Sequence, residues 1–195
     1  MIKHIKTYLI IILATTLAAT AFSIEPSVSA TKKQFLQKEA TRFKMKMGVF
    51  LVLIEDGQVL LLRRYNTGIG DGKYVFPMGG VEDGETASEA VIREAKEEAG
   101  IDVHPEHMRA AHVMQQLYHM PDGDTFEQVN VFFVTNHYDG IPANMEPHKA
   151  DDLRFFPVDS LPANTEPFIR DALTAILHDQ SFSEHGFSQS GTTSA

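Results

Sequence analysis

The 195-residue chain contains no cysteine. That absence removes disulfides, thiolate catalysis and a lipid-modified cysteine together. It suits an oxidising compartment without requiring one. Positive charge is scarce: 17 Lys and Arg stand against 26 Asp and Glu, a formal net charge of -9. That balance argues against nucleic-acid binding through a basic face, and none is expected. Long hydrophobic runs are missing as well. The longest apolar or small-residue run, Tyr8 to Ala21, has 14 residues, short of the ~18–20 that a spanning helix needs. Several catalytic and binding signatures also fail. The loop "GIGDGK" has the wrong glycine spacing for a phosphate-cradling loop, with Tyr74 where Ser or Thr is required. "DGDTFEQ" departs from a calcium loop at Phe126, and His104, His107, His112 and His119 occur without HExxH or Cys partners for zinc. No Ser-His-Asp signature and no repeat of 20–50 residues is present.

What is present begins with a separate N-terminal segment. The basic Met1 to Lys6 precedes the apolar run, and small-residue cleavage sites follow at Ala19-Thr20-Ala21 and Ala21-Phe22-Ser23. Residues 1–23 therefore fit a secretory signal peptide, with an uncleaved anchor as the weaker alternative. The expected mature protein is exported, periplasmic or extracellular, with no stable membrane anchor; translation from Met45 or Met47 would instead leave it cytoplasmic. Residues 24–44 form a Lys-rich polar connector, and 181–195 a Gly/Ser-rich tail expected to be disordered.

Between them, 43% hydrophobic residues in a chain of this length suffice for one packed domain. Met47 to Ile54 and Val59 to Leu62 are rich in strand formers and flank Asp56-Gly57, a hairpin signal. A third strand is expected near Tyr74 to Pro77, two more near 109–118 and 127–136, and a last one near Leu153 to Val158, followed by a helix from about Glu166 to His178. Thr86 and Glu89 have capping-box spacing and Gly100 stands where a left-handed cap belongs, so 87–99 is a helix.

That helix lies in the stretch "GGVEDGETASEAVIREAKEEAGI", residues 79–101, which holds seven carboxylates and two basic side chains. Glu94, Glu97 and Glu98 fall at i, i+3 and i+4, so they crowd one turn at a cost of about 0.2–0.5 kcal/mol per like-charge pair. Hard divalent cations, bound through oxygen, would offset that repulsion; a solvated acidic face is the plainer alternative.

Gly79, Glu85, Arg93, Glu94, Glu97, Glu98 and Gly100 match the spacing G-x5-E-x7-R-E-U-x-E-E-x-G-U, with Ala95 and Ile101 in the apolar slots. This resembles the Nudix box of the Nudix hydrolase superfamily; Ala95 is smaller than the usual aliphatic residue. The resemblance implies an α/β fold, a Nudix-type α/β/α sandwich with a mixed sheet, over residues 45–180. It implies hydrolysis of a diphosphate linkage in a nucleoside di- or triphosphate derivative, NDP-X to NMP and P-X, with Mg²⁺ or substituting Mn²⁺. Metal ligation falls to Glu94, Glu97, Glu98 and the Gly79 carbonyl, and Arg93 pairs with Glu85 to hold the loop against the helix. Family members often place one further carboxylate outside the box. Asp152, in "HKADDLRFFP", is the choice, with Glu127, Asp151 and Glu146 as rivals. The partner implied is a small nucleotide-type molecule. Phe76, Phe132, Phe155 and Phe156 are expected in the core rather than on a base, and Arg63, Arg64 and Lys73 as solvated charges rather than phosphate contacts. The alternative function is a non-catalytic nucleotide-binding module on the same fold.

Overall fold

The computed structural model describes residues 25–120 and 122–187. The expected signal peptide and the last eight residues of the tail lie outside them. The chain divides into two units, Met1–Lys44 and Met45–Ala195. In the first, the stretch expected to be a polar connector forms a helix, α1 (Glu25–Thr41). Ala, Gln, Lys and Glu are good helix formers, and the one proline stands at its second position, where no intrahelical N–H is lost.

In the second unit, β1 (Lys46–Glu55) turns through Asp56-Gly57 into β2 (Gln58–Arg64). The two turn residues have φ of 49° and 73°, the left-handed pair that matches the twist of antiparallel strands. β3 (Tyr74–Val75) and β4 (Met78–Gly80) precede α2 (Ala87–Ala99). Then come β5 (Asp102–Val103), β6 (Arg109–His119), β7 (Thr125–Thr135), β8 (Tyr138–Asp139), β9 (Ala150–Pro157), α3 (Pro167–Leu177) and β10 (Phe182–His185).

β1 is the axis of the sheet. β7 runs parallel to it on one side and β4 antiparallel on the other. β6 pairs antiparallel with β7, and β10 parallel with β6. Past the hairpin, β2 takes its own antiparallel neighbours, β3 and β9. The mixed eight-stranded sheet thus forks where β1 and β2 part, while β5 and β8 pair separately.

Alternation along β1 supplies both faces of the core. Val49, Leu51 and Leu53 pack with Ala90, Val91, Ala95 and Ala99 of α2. Phe50 and Val52 pack with Phe168, Ile169 and Leu173 of α3. Three alanines let α2 lie close to the sheet, so the small Ala95 of the box is a packing residue. The result is the expected α/β/α sandwich. Phe50 stacks on Phe132 at 4.7 Å. Phe76 and Phe132 are fully buried, each contributing about 1.5–3 kcal/mol by burial, and Phe155 and Phe156 pack against the two core clusters.

Two expectations need correction. β9 starts at Ala150, not Leu153, because Ala150 and Asp152 pair with Arg64 and Arg63 of β2 and Asp151 is the bulged residue between them, so both acids belong to the strand rather than to a loop. The tail is not disordered from 181 onward: β10 pairs with β6, and a Cβ on Gly186 would stand 1.9 Å from the Leu117 carbonyl oxygen, so the chain is seated against β6 as far as that residue.

Candidate active site

The caps of α2 position everything that follows. The Thr86 hydroxyl accepts from the Glu89 N–H at 3.2 Å, and the Glu89 carboxylate accepts from the Thr86 N–H at 2.8 Å. Gly100 closes the helix with φ 72°. The turn bearing Glu94, Glu97 and Glu98 is therefore held at a fixed height above β4.

Arg93 ties the loop before α2 to that turn. Its Nε and Nη2 donate to the two Glu85 oxygens at 2.9 and 3.1 Å, Nη2 also to the Gly80 carbonyl at 3.0 Å, and Nη1 to Glu94 at 2.6 Å. A planar guanidinium can make this fork and lysine cannot. The pair, together with the Glu82 N–H, holds Glu85 below the usual carboxylate range. Glu97 lies 3.5 Å from Arg93 and is half exposed.

Glu94 lies directly against the backbone of Gly79: a Cβ there would stand 1.8 Å from its Oε1. Glycine is thus required for the approach rather than for φ. Burial raises the Glu94 carboxyl above its ordinary value, against the opposing pull of Arg93. Glu98 accepts from the Met78 N–H at 2.8 Å. Its side chain keeps a path to the cavity, but the carboxyl itself sits deep, and burial, with Glu94 and Glu146 adding to it, pushes its pKa up to about 8.

Glu94, Glu98 and Gly79 border an open cavity of about 570 Å³ that Glu146, Lys149 and Arg64 complete. Glu146 comes from the turn before β9, where its carbonyl accepts from the Lys149 and Ala150 N–H groups, and its carboxylate pairs with Lys149 at 2.8 Å. Arg64, expected as a solvated charge, is instead half-buried, its Nε donating to the Ile69 carbonyl at 2.6 Å. A more enclosed cavity of about 140 Å³ shares Arg64 and Met78 with the first.

Asp152 is not brought to this cavity. Its carboxylate accepts from the Tyr74 hydroxyl and pairs with Arg154 at 2.8 Å, on a strand residue aligned with Arg63. Of its rivals, Asp151 is bound bidentately by Arg63 and Glu127 lies beside Gln115. Only Glu146 borders the carboxylates of the box. Glu97 does not line the cavity, and among the described residues no three His, Asp or Glu side chains converge closely enough to hold an ion between them. The oxygen donors on the cavity nevertheless suit a hard divalent ion: the carboxyls of Glu94, Glu98 and Glu146 and the backbone of Gly79, with His148 also on the lining.

A family model described as "NUDIX domain" matches residues 43–176, more than half of the chain. The chain belongs to the NUDIX family. Its Nudix fold resembles that of a MutT NUDIX hydrolase from Burkholderia pseudomallei, with 26% identity and a TM-score of 0.60 over 68% of this chain and 98% of that one. An NAD-capped RNA hydrolase NudC of Stutzerimonas stutzeri (strain A1501) is 32% identical over 113 residues, 58% of this chain and 37% of the relative. An RNA pyrophosphohydrolase of Shewanella baltica (strain OS155 / ATCC BAA-1091) is 42% identical over 66 residues, 34% of each chain. The match spans little more than a third of the length of these curated relatives.

Proposed function

We propose that this chain hydrolyses a diphosphate linkage in a nucleoside di- or triphosphate derivative, with Mg²⁺ bound by Glu94, Glu98 and the Gly79 carbonyl, and by Glu97 once its side chain turns from Arg93 into the cavity. The observation that carries this is the open cavity bordered by Glu94, Glu98, Glu146 and Gly79, with Glu94 directly against the Gly79 backbone. Carboxylates alone repel a polyanion, so such a site suits a phosphate substrate only with cations between them. The ion, when bound, supplies that neutralisation and Lewis acidity toward the phosphates.

Overall, water attacks one phosphorus, a new P–O bond forms, and the bridging P–O bond breaks with its oxygen leaving on the other phosphate. The water proton passes to a carboxylate of the chain or to solvent. Arg93 acts by position, fixing Glu94 and the 80–85 loop. Glu146, rather than Asp152, is the carboxylate outside the box assigned to orient water, a reading supported by its place on the cavity beside Glu94 and Glu98, which Asp152 does not share. Arg64 and Lys149 are placed to receive phosphate charge.

The test is turnover: nucleoside triphosphates, nucleotide sugars and dinucleotide polyphosphates are each incubated with millimolar Mg²⁺ and the released phosphates identified. Turnover lost in Glu98→Gln supports the reaction. A protein that binds nucleotide but releases no phosphate from any of them is the non-catalytic module instead. Residues 1–23 are proposed to direct export, on the basis of their basic start, apolar run and small-residue sites. The expected mature chain begins near residue 22 or 24; a full-length mass in the native membrane fraction would refute cleavage.

A further inference from the structure

Glu146 stands in a turn that is fastened at both ends. On the helix side, the Ala143 N–H donates to the Ala99 carbonyl at 2.9 Å and the Met145 N–H to the Glu98 carbonyl at 3.1 Å. Carbonyls in the last turn of a helix have no partner within it, and here the loop that carries Glu146 supplies one. Glu98 thus borders the cavity with its side chain and holds the loop with its backbone. On the sheet side, Ala150 is buried at the start of β9 and pairs with Arg64 of β2. The Lys149 carbonyl accepts from the Tyr65 N–H at 2.7 Å, so the turn is tied to the end of β2 as well.

Asn144 spans these two anchors. Its Oδ1 accepts from the Glu146 N–H at 3.1 Å and its Nδ2 donates to the Ala150 carbonyl at 2.7 Å. Both partners are backbone groups of fixed polarity, so they decide which way the amide faces. Asparagine often accepts from the N–H two residues on; its second bond here carries the turn across to the strand. Aspartate lacks that donor, and an aliphatic side chain lacks both groups. Glu146 has little freedom left. Pro147 follows it and disfavours helical backbone angles, and its carbonyl accepts from the Lys149 and Ala150 N–H groups at 2.8 and 3.0 Å. Its N–H is the remaining backbone group, and Asn144 holds it.

We propose that Asn144 is a positioning residue, which acts through Glu146 by setting where that carboxylate stands on the cavity. The assignment rests on the role of Glu146 proposed above. Asn144 does not itself line the cavity, so its removal reaches turnover through a neighbour. A group displaced by about 1 Å from its productive place can cost about 10²-fold in rate.

Asn144→Ala, Glu146→Gln and the double variant of the full chain test this by steady-state turnover with Mg²⁺ and by amide hydrogen exchange at residue 146, read by NMR. Asn144→Ala should lower kcat by about ten- to a hundredfold and leave KM within about twofold, because binding is not what Glu146 provides. Once Glu146 is already glutamine, Asn144→Ala should cost no more than about twofold further, the non-additivity of two residues that act as one. A merely structural role would act equally in both backgrounds. Exchange at the Glu146 N–H should speed up by about tenfold or more in Asn144→Ala. If that variant does not fold, Asn144→Leu, of similar volume and without the amide, is read in its place. Normal turnover in the single variant, a loss undiminished in the Glu146→Gln background, or unchanged exchange at Glu146 overturns the proposal. A wild-type protein without turnover refutes the reaction instead, and exchange then decides alone whether Asn144 fixes the turn.

Discussion

Glu98→Gln should stabilise the protein while abolishing turnover. The folded carboxyl has its pKa pushed from an ordinary 4.5 up to about 8, so the folded state holds its proton more tightly than the unfolded one. Linkage then sets the sign: stability is lost as pH rises from about 4.5 toward 8. At pH 7 the proton must be retained against solution at about 1.36 kcal/mol per pH unit above 4.5, roughly 3 kcal/mol. Access of water to the side chain discounts this to the order of 1–2 kcal/mol. A neutral amide keeps the acceptor for the Met78 N–H and escapes that penalty. Thermal melts in chelator at pH 7 should place the variant about 2–8 °C above wild type, and the gap should vanish near pH 4, where both side chains are neutral. Millimolar Mg²⁺ should raise only the wild-type midpoint, by mass action on the folded state. A metal-free variant that melts with or below wild type at pH 7, or a gap that persists at pH 4, would refute the account of Glu98.

Gly79→Ala should lose turnover, because the new Cβ meets the Glu94 side chain from its carboxyl to Cγ and drives that carboxylate from where Arg93 holds it; normal activity would show that its position is immaterial. Glu146→Gln should lower turnover by ~10²–10⁴ and Asp152→Asn far less, and the reverse ranking in a steady-state assay would return the role to Asp152. Thr86→Ala removes the cap and should cost about 1 kcal/mol. Because Glu89 is held below its ordinary 4.5 by the Thr86 N–H and hydroxyl, its contribution is present above that pH and lost below it, so the Thr86→Ala deficit measured by denaturant titration should shrink on acidification.

The box was legible because one helix carries it. Spacing within a helix is geometry, so Glu94, Glu97 and Glu98 on one turn, the caps at Thr86 and Gly100, and the hairpin at Asp56-Gly57 follow from local chemistry. The carboxylate outside the box did not follow, because its position depends on where β9 begins. Asp151 and Asp152 interrupt the apolar pattern and look like loop residues, yet they answer Arg63, Tyr74 and Arg154 across the sheet. Asn144 stood in a polar loop with nothing to distinguish it from a surface amide; only the start of β9 at Ala150 gives its side chain a second partner. β10 escaped notice because Phe182 to His185 is short and polar, followed by Gly and Ser.

That short strand protects the molecule from itself. Without it, the four β6 residues from Val113 to Gln116 would join the unpaired margin of the sheet, the kind of edge on which a second chain can add. β10 covers Val113 to Gln116, and the ring of His112 clasps it through the Gln180 carbonyl and the Ser183 hydroxyl at 2.7 and 2.8 Å. Proteolytic trimming before Phe182 should therefore leave the carboxylate cluster in place and yet uncover part of β6 as an edge on which strands of other copies can add.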